Sequence, residues 1–192
     1  KILFVEREIS DIFAKGMSKA VNNLRIGLPW QNEADITPLP ETSKSQYLTG
    51  LIDDAKRHGA KVINQYGGEF YKTYFKPAVL YPVNSNMKVY REEQFGPVIP
   101  IVPFDDFSLV YNYVIESNYG QQLSVFTQDH KEIDQVCLAL GNQIARININ
   151  MQCQRGPDTM PFTGRKDSAE GVLSVSEAIK EFTVPLVIAK ER

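Results

Sequence analysis

Two stretches of this sequence hold side chains whose types and spacing can do chemistry. The first is Arg91-Glu92-Glu93-Gln94-Phe95-Gly96-Pro97. A carboxylate can accept two sugar hydroxyls at once, and a neighbouring ring can pack on a flat heterocycle. The same residues also fit a turn shaped by Gly96-Pro97 with two solvated glutamates. The second stretch, Asn150 to Gly171, contains Cys153-Gln154-Arg155-Gly156-Pro157-Asp158 and Pro161-Phe162. The Arg155 fork suits a pair of phosphate oxygens, and Met160 and Phe162 are apolar enough to wall a pocket. The alternative is a long connecting loop with a solvated arginine.

The remaining reactive types are sparse. There are two cysteines, Cys137 and Cys153, and two histidines, His58 and His130. Cys153 lies close to Arg155, a cation that favours thiolate. Cys137 falls on an apolar helix face and reads as core. The histidines read as ordinary surface residues. No His, Cys and carboxylate set has metal-ligand spacing, and Gly67-Gly68 lacks any phosphate-loop context.

The elements that must position these stretches follow from periodicity. Ile2–Val5 reads as a buried strand. A helix capped by Ser10 and stopped by Gly27 carries Ile12, Phe13, Met17, Ala20, Val21 and Leu24 at a 3.6-residue period. A proline-punctuated loop over 28–42 precedes a second helix, whose apolar face is Tyr47, Leu48, Leu51, Ile52 and Ala55 and whose C′ residue is Gly59. Lys61–Asn64 is a short strand. Phe75–Val83, broken by Pro77 and Pro82, suits a short or edge strand. Strands at Val98–Val102, Leu123–Thr127 and Ala145–Ile149 alternate with helices after Asp105-Asp106 and over 131–142. Ser174 and Glu177 form a capping box for a last helix, and Val184–Ala189 reads as a final strand. This alternation predicts an α/β fold with a doubly wound, mostly parallel sheet, whose ligands sit beyond the carboxyl ends of the strands.

With 192 residues, 43% hydrophobic and 23% charged, the chain suits one soluble domain. Its net charge of −2 offers no bulk attraction to nucleic acid or to anionic membrane. The greasiest run, Val98 to Phe104, is short and holds two prolines, so no membrane span is expected. Two cysteines make no disulfide framework, so a reducing compartment is the default. Lys1 opens directly onto a buried strand, which suggests a piece of a longer protein.

Glu92-Glu93-Gln94-Phe95-Gly96-Pro97-Val98 resembles the Glu-Glu-x-Phe-Gly-Pro-Val signature of the aldehyde dehydrogenase superfamily. Pro77-Ala78-Val79-Leu80, Pro103-Phe104-Asp105, Asn118-Tyr119-Gly120 and Val125-Phe126-Thr127 follow in the order and spacing of that superfamily's catalytic domain. Within it, Cys153 to Asp158 and Pro161-Phe162 are similar to the non-phosphorylating, NADP-dependent glyceraldehyde-3-phosphate dehydrogenases. The usual Ser-Gly-x-Gly ending is replaced here by Ser168-Ala169-Glu170-Gly171.

The resemblance implies that Glu93 holds the nicotinamide ribose and that Phe95 packs near the nicotinamide ring. It implies that Arg155 contacts the substrate phosphate, with Asn150 and Phe162 as further substrate-binding candidates. The cofactor would be NADP, with NAD as the alternative. Together with the reducing compartment that cysteine usage favours, the resemblance implies the cytoplasm. The reaction would run through a cysteine thiolate, a hydride transfer and hydrolysis of a thioester by glutamate-activated water. The superfamily nucleophile lies in a Gly-Gln-x-Cys stretch and the base in Glu-Leu-Gly-Gly, neither of which is in these 192 residues. Cys153 then becomes a loop or pocket-wall residue. The chain reads as a partial catalytic domain over 1–171 plus a C-terminal helix and oligomerisation strand over 172–192, inactive alone and part of a homo-oligomer. Two alternatives remain: a non-catalytic assembly module that keeps the fold, and an aldehyde dehydrogenase for another acidic semialdehyde.

Overall fold

The apolar run at the start of the chain forms β1 (Leu3–Glu6), and α1 (Arg7–Asn22) follows without a loop. The computed structural model describes residues 1–191. By contact density the chain divides into two units, Lys1–Phe107 and Ser108–Arg192. The boundary at 171/172 drawn from sequence falls elsewhere, inside a two-stranded ribbon of the second unit.

The first unit continues with α2 (Thr42–Arg57), β2 (Lys61–Val62), the ribbon of β3 (Phe70–Tyr71) and β4 (Tyr74–Phe75), β5 (Ala78–Tyr81), the one-turn α3 (Lys88–Arg91) and β6 (Val98–Phe104). Its sheet has the order β1-β6-β5-β2, parallel except for the antiparallel β2–β5 pair. Val79 and Ile101 pack with Val5 and with Ala14 and Val21 of α1. Side chains alternate across a strand, so Ala78 and Leu80 face the other side, where they are equally buried. The buried residues of α2, among them Leu48, Leu51, Ile52 and Ala55, cover that side. A sheet covered on both faces tolerates the near-continuous apolar runs of β5 and β6.

Three local expectations are corrected here. β5 is short, as expected, with four residues, but it is interior and not an edge: it is hydrogen-bonded to β6 and β2, because Pro77 and Pro82 fall just outside its ends and delimit it without interrupting its ladder. Ser10 does not cap α1. The helix starts three residues earlier, and the buried Ser10 hydroxyl donates to the Arg7 carbonyl at 2.9 Å and lies 2.9 Å from the Tyr81 hydroxyl. The helix also ends before Gly27, at Asn22. Gly59, by contrast, follows α2 at φ +102°, a conformation that glycine adopts without strain.

The second unit holds most of α4 (Phe107–Glu116), then β7 (Tyr119–Gly120), β8 (Gln122–Val125), α5 (His130–Leu140) and β9 (Arg146–Ile149). β8 and β9 pair in parallel around α5, a βαβ unit. Three short strands follow: β10 (Phe162–Thr163), β11 (Arg165–Lys166) and β12 (Val172–Leu173). β10 pairs with β12 and β11 with β7. At α6 (Val175–Glu181) the hydroxyl half of the expected capping box forms, the Glu177 N–H donating to the Ser174 hydroxyl at 3.1 Å, while the Glu177 carboxylate accepts from Lys180 at 2.7 Å.

Two expectations fail in this unit. Cys137 is exposed, because α5 buries Val136 and Leu140 and leaves the thiol beside that stripe. Val184–Ala189 forms no strand. A strand needs a partner for its backbone groups, and Val184, Leu186, Val187 and Ile188 are 83–93% exposed. No helix among the described residues is long and apolar enough to cross a membrane.

Candidate functional site

In the first unit, α2 is the platform for the Glu92–Pro97 loop. The loop is delivered by α3, whose first N–H, that of Lys88, donates to the buried Asp54 carboxylate of α2 at 2.8 Å. That bond, helped by His58 and Arg57, holds the Asp54 carboxyl below the ordinary carboxylate range despite burial. A depressed folded pKa adds stability that is fully present above the unfolded value near 4 and is lost as pH falls through the lower folded value. We expect Asp54→Asn to lower the urea midpoint at neutral pH, and the gap to wild type to close as the pH drops through the depressed folded value. A gap independent of pH would remove the ionised carboxylate from this role.

Further along, the Tyr47 hydroxyl donates to the Glu93 carbonyl at 3.0 Å and to a Glu92 carboxylate oxygen at 3.3 Å. Gln94 is 2% exposed, and its amide donates to the carbonyls of Val89 and Glu92 at 2.9 and 3.1 Å. Phe95 sits at φ +44° with its ring 79% exposed, and the Lys44 ammonium lies 5.9 Å from that ring's centroid. The buried Gln94 thus anchors the loop while Glu93 and Phe95 on either side of it stay accessible.

Gly96 closes the loop against Leu48. A β-carbon there would lie 2.6 Å from Leu48 Cδ1, and Leu48 is wholly buried. Overpacking of that kind costs about 1–3 kcal/mol. Gly96→Ala is therefore expected to lower the denaturant midpoint by a corresponding amount. A midpoint equal to wild type would mean that the loop does not rest on α2.

In the second unit, the long segment after β9 is irregular up to β10 and is held by side chains. Asn150, at φ +53°, accepts from the Thr127 N–H at 3.0 Å and donates to the Thr127 carbonyl at 2.9 Å. Its amide is engaged with backbone, so the geometry makes it a loop anchor. Arg146 donates from Nη1 to the carbonyls of Gln154, Arg155 and Gly156 at 3.0, 3.4 and 2.9 Å, and from Nε to Asn148 Oδ1 at 2.8 Å. Asn148 is 1% exposed and also donates to Gln122 Oε1 and to the Leu123 carbonyl. The Cys153 sulfur sits 3.2 Å from the Ser124 hydroxyl and 3.8 Å from Asn148 Nδ2.

Arg155 is exposed, with Cζ 5.6 Å from the centroid of the half-buried Phe162 ring. A guanidinium at that distance gains from the ring's electron-rich face, and it can still offer N–H donors to an anion.

Residues 1–187 match the aldehyde dehydrogenase family across nearly the whole chain. The chain belongs to the aldehyde dehydrogenase family. It is 35% identical over 183 residues to an NADP-dependent glyceraldehyde-3-phosphate dehydrogenase of Streptococcus equinus, covering 95% of the chain and 37% of that relative. A 3-sulfolactaldehyde dehydrogenase of Priestia aryabhattai is 27% identical over 186 residues, covering 97% and 38%. The crystal structure of an NADP-dependent glyceraldehyde-3-phosphate dehydrogenase from Bacillus halodurans, complexed with NADP, superimposes with a TM-score of 0.87 at 32% identity, covering 93% of this chain and 37% of that one. The chain thus spans a little over a third of the length of the relatives it matches.

The sequence-predicted residues of the chain fall into two sets. Glu93 and Phe95 share one loop of the first unit, and Arg155 lies over the Phe162 ring in the second. Sequence reasoning missed Tyr47, Gln94 and Arg146. Gln94 lies inside the recognised motif, but nothing in its type announces burial. Arg146 carries no local signal, since its partners are backbone carbonyls up to ten residues away.

Proposed function

We propose that the enzyme containing this chain oxidises a phosphorylated aldehyde, glyceraldehyde 3-phosphate or a close anionic relative, to the acid with NADP. The observation that carries this reading is the Arg155–Phe162 pair inside a chain 35% identical to an NADP-dependent glyceraldehyde-3-phosphate dehydrogenase. A guanidinium backed by a ring and left exposed suits a phosphate oxygen pair. Asn150 contributes by holding the loop.

The first-unit loop fits the cofactor. An exposed carboxylate can accept the two hydroxyls of a ribose, and an exposed ring next to it offers a flat apolar surface for nicotinamide. Glu93 is assigned to the ribose and Phe95 to the ring side. NADP supplies the hydride acceptor; the chain's own residues bind and orient. Neither Cys153, bonded to Ser124, nor Cys137, on the outer side of α5, is assigned as nucleophile. The exposed apolar run at 184–188 supports a second copy of the chain as partner.

Arg155 suits a sulfonate as well as a phosphate, and the sulfolactaldehyde dehydrogenase relative favours that as a second reading. The test is product analysis with the full-length protein. Glyceraldehyde 3-phosphate and NADP in phosphate-free buffer should give 3-phosphoglycerate and NADPH in equal amounts. Turnover that requires inorganic phosphate, or no turnover of this aldehyde, would overturn the reading.

A further inference from the structure

We propose that Arg146 is a positioning residue for substrate selection. It holds the backbone of residues 154–156 so that the Arg155 guanidinium is presented against Phe162. This rests on the assignment of Arg155 to the substrate anion.

The segment between β9 and β10 has no ladder of its own. Its carbonyls at 154, 155 and 156 converge instead on one guanidinium nitrogen, at 2.9 to 3.4 Å. The other side of that guanidinium is fixed by Asn148, buried beneath the loop, through Nε. Gln122 completes the seat, accepting from the Gln154 N–H at 3.1 Å and from Asn148 Nδ2 at 3.3 Å. Arg155 is therefore fixed at two points, its carbonyl by Arg146 and its guanidinium by the Phe162 ring.

Arg146 is half-buried, and its partners are all neutral oxygens. A charged donor makes stronger bonds to carbonyls than a neutral one, and only arginine brings several donors in a rigid fork. Glutamine at this position would bring two neutral N–H donors on a shorter side chain and no second nitrogen for Asn148. Lysine could hold two or three, as the Lys166 ammonium does for Val114, Ile115 and Ser117, but would lose the bond to Asn148. Displacing a binding group by a fraction of an ångström to an ångström weakens selectivity without touching the reacting atoms.

The test uses the full-length enzyme with glyceraldehyde 3-phosphate and glyceraldehyde as paired substrates, in wild type, Arg146→Gln, Arg146→Lys, Arg155→Ala and the Arg146→Gln/Arg155→Ala double variant. Arg146→Gln should lower kcat/KM for the phosphorylated aldehyde by roughly 5- to 30-fold, mainly through KM, and leave glyceraldehyde within about twofold. Arg146→Lys should recover part of that loss, and the double variant should be no worse than Arg155→Ala alone. Equal losses for both aldehydes, additive losses in the double variant, or no loss at all would each overturn the proposal. If Arg146→Gln does not fold, Arg146→Lys carries the same expectation with a smaller loss, read against its melting temperature. The Arg155→Ala arm by itself judges the assignment of Arg155. If that arm is selective and Arg146 is not, only the present proposal fails; if it is unselective, both fail.

Discussion

Arg155→Ala in the full-length enzyme is expected to lower kcat/KM for glyceraldehyde 3-phosphate by roughly 10- to 100-fold, the equivalent of about 1.5–3 kcal/mol for one lost charged hydrogen-bond set. Unphosphorylated aldehydes should hardly change, because they offer nothing for the guanidinium to hold. Stability should also change little. Arg155 is exposed, and the loop is anchored by its carbonyls and by Arg146, Asn150 and Gln122, all of which remain. What disappears on the protein side is the cation–π contact with Phe162, worth about 0.5–1 kcal/mol at an exposed site. Steady-state kinetics on both aldehydes, beside a thermal melt, separate the cases. Equal losses on both substrates with a lowered melting temperature would assign Arg155 to folding instead.

Glu93→Ala should behave in the opposite way with respect to substrate. A carboxylate that holds the cofactor ribose serves every aldehyde alike, so kcat/KM should fall by roughly 10- to 100-fold for phosphorylated and unphosphorylated substrates together. The KM for NADP should rise as well. The fold should tolerate the change, because the Tyr47 bond to this residue uses its carbonyl and the side chain is exposed. A loss confined to the phosphorylated substrate would contradict the division of labour between the two loops. So would full activity with unchanged NADP dependence.

The two variants also mark what was legible in the sequence. β1, α2, β6, α5 and the capped α6 follow from local periodicity and capping, so their existence and type were readable. The Glu92–Pro97 and Cys153–Phe162 stretches were readable as motifs. What holds them was not. Gln94 earns its burial from the Val89 and Glu92 carbonyls, and Gly96 its constraint from Leu48 on a helix 48 residues earlier. Arg146 acts on carbonyls eight to ten residues downstream. Local pattern also misled at definite places. The prolines around β5 suit a short or an edge strand; the strand is short but interior, and the prolines only bound it. Val184–Ala189 has a strand's composition, but composition cannot supply the partner that a strand requires. Cys137 sits one position from a buried valine, and a single helical step of about 100° was enough to turn it outward. Asn150, expected at the substrate, bonds the Thr127 backbone through both its polar atoms, a partner that its sequence neighbourhood does not announce.

The claim that an anionic, phosphate-bearing aldehyde is the substrate is tested most directly by one measurement. That is kcat/KM of the full-length enzyme for glyceraldehyde 3-phosphate, 3-sulfolactaldehyde, succinic semialdehyde and glyceraldehyde, each at saturating NADP. The arrangement of Arg155 on Phe162 predicts glyceraldehyde 3-phosphate first, ahead of glyceraldehyde by roughly 10-fold or more. A panel led by an uncharged aldehyde, or by succinic semialdehyde, would contradict it.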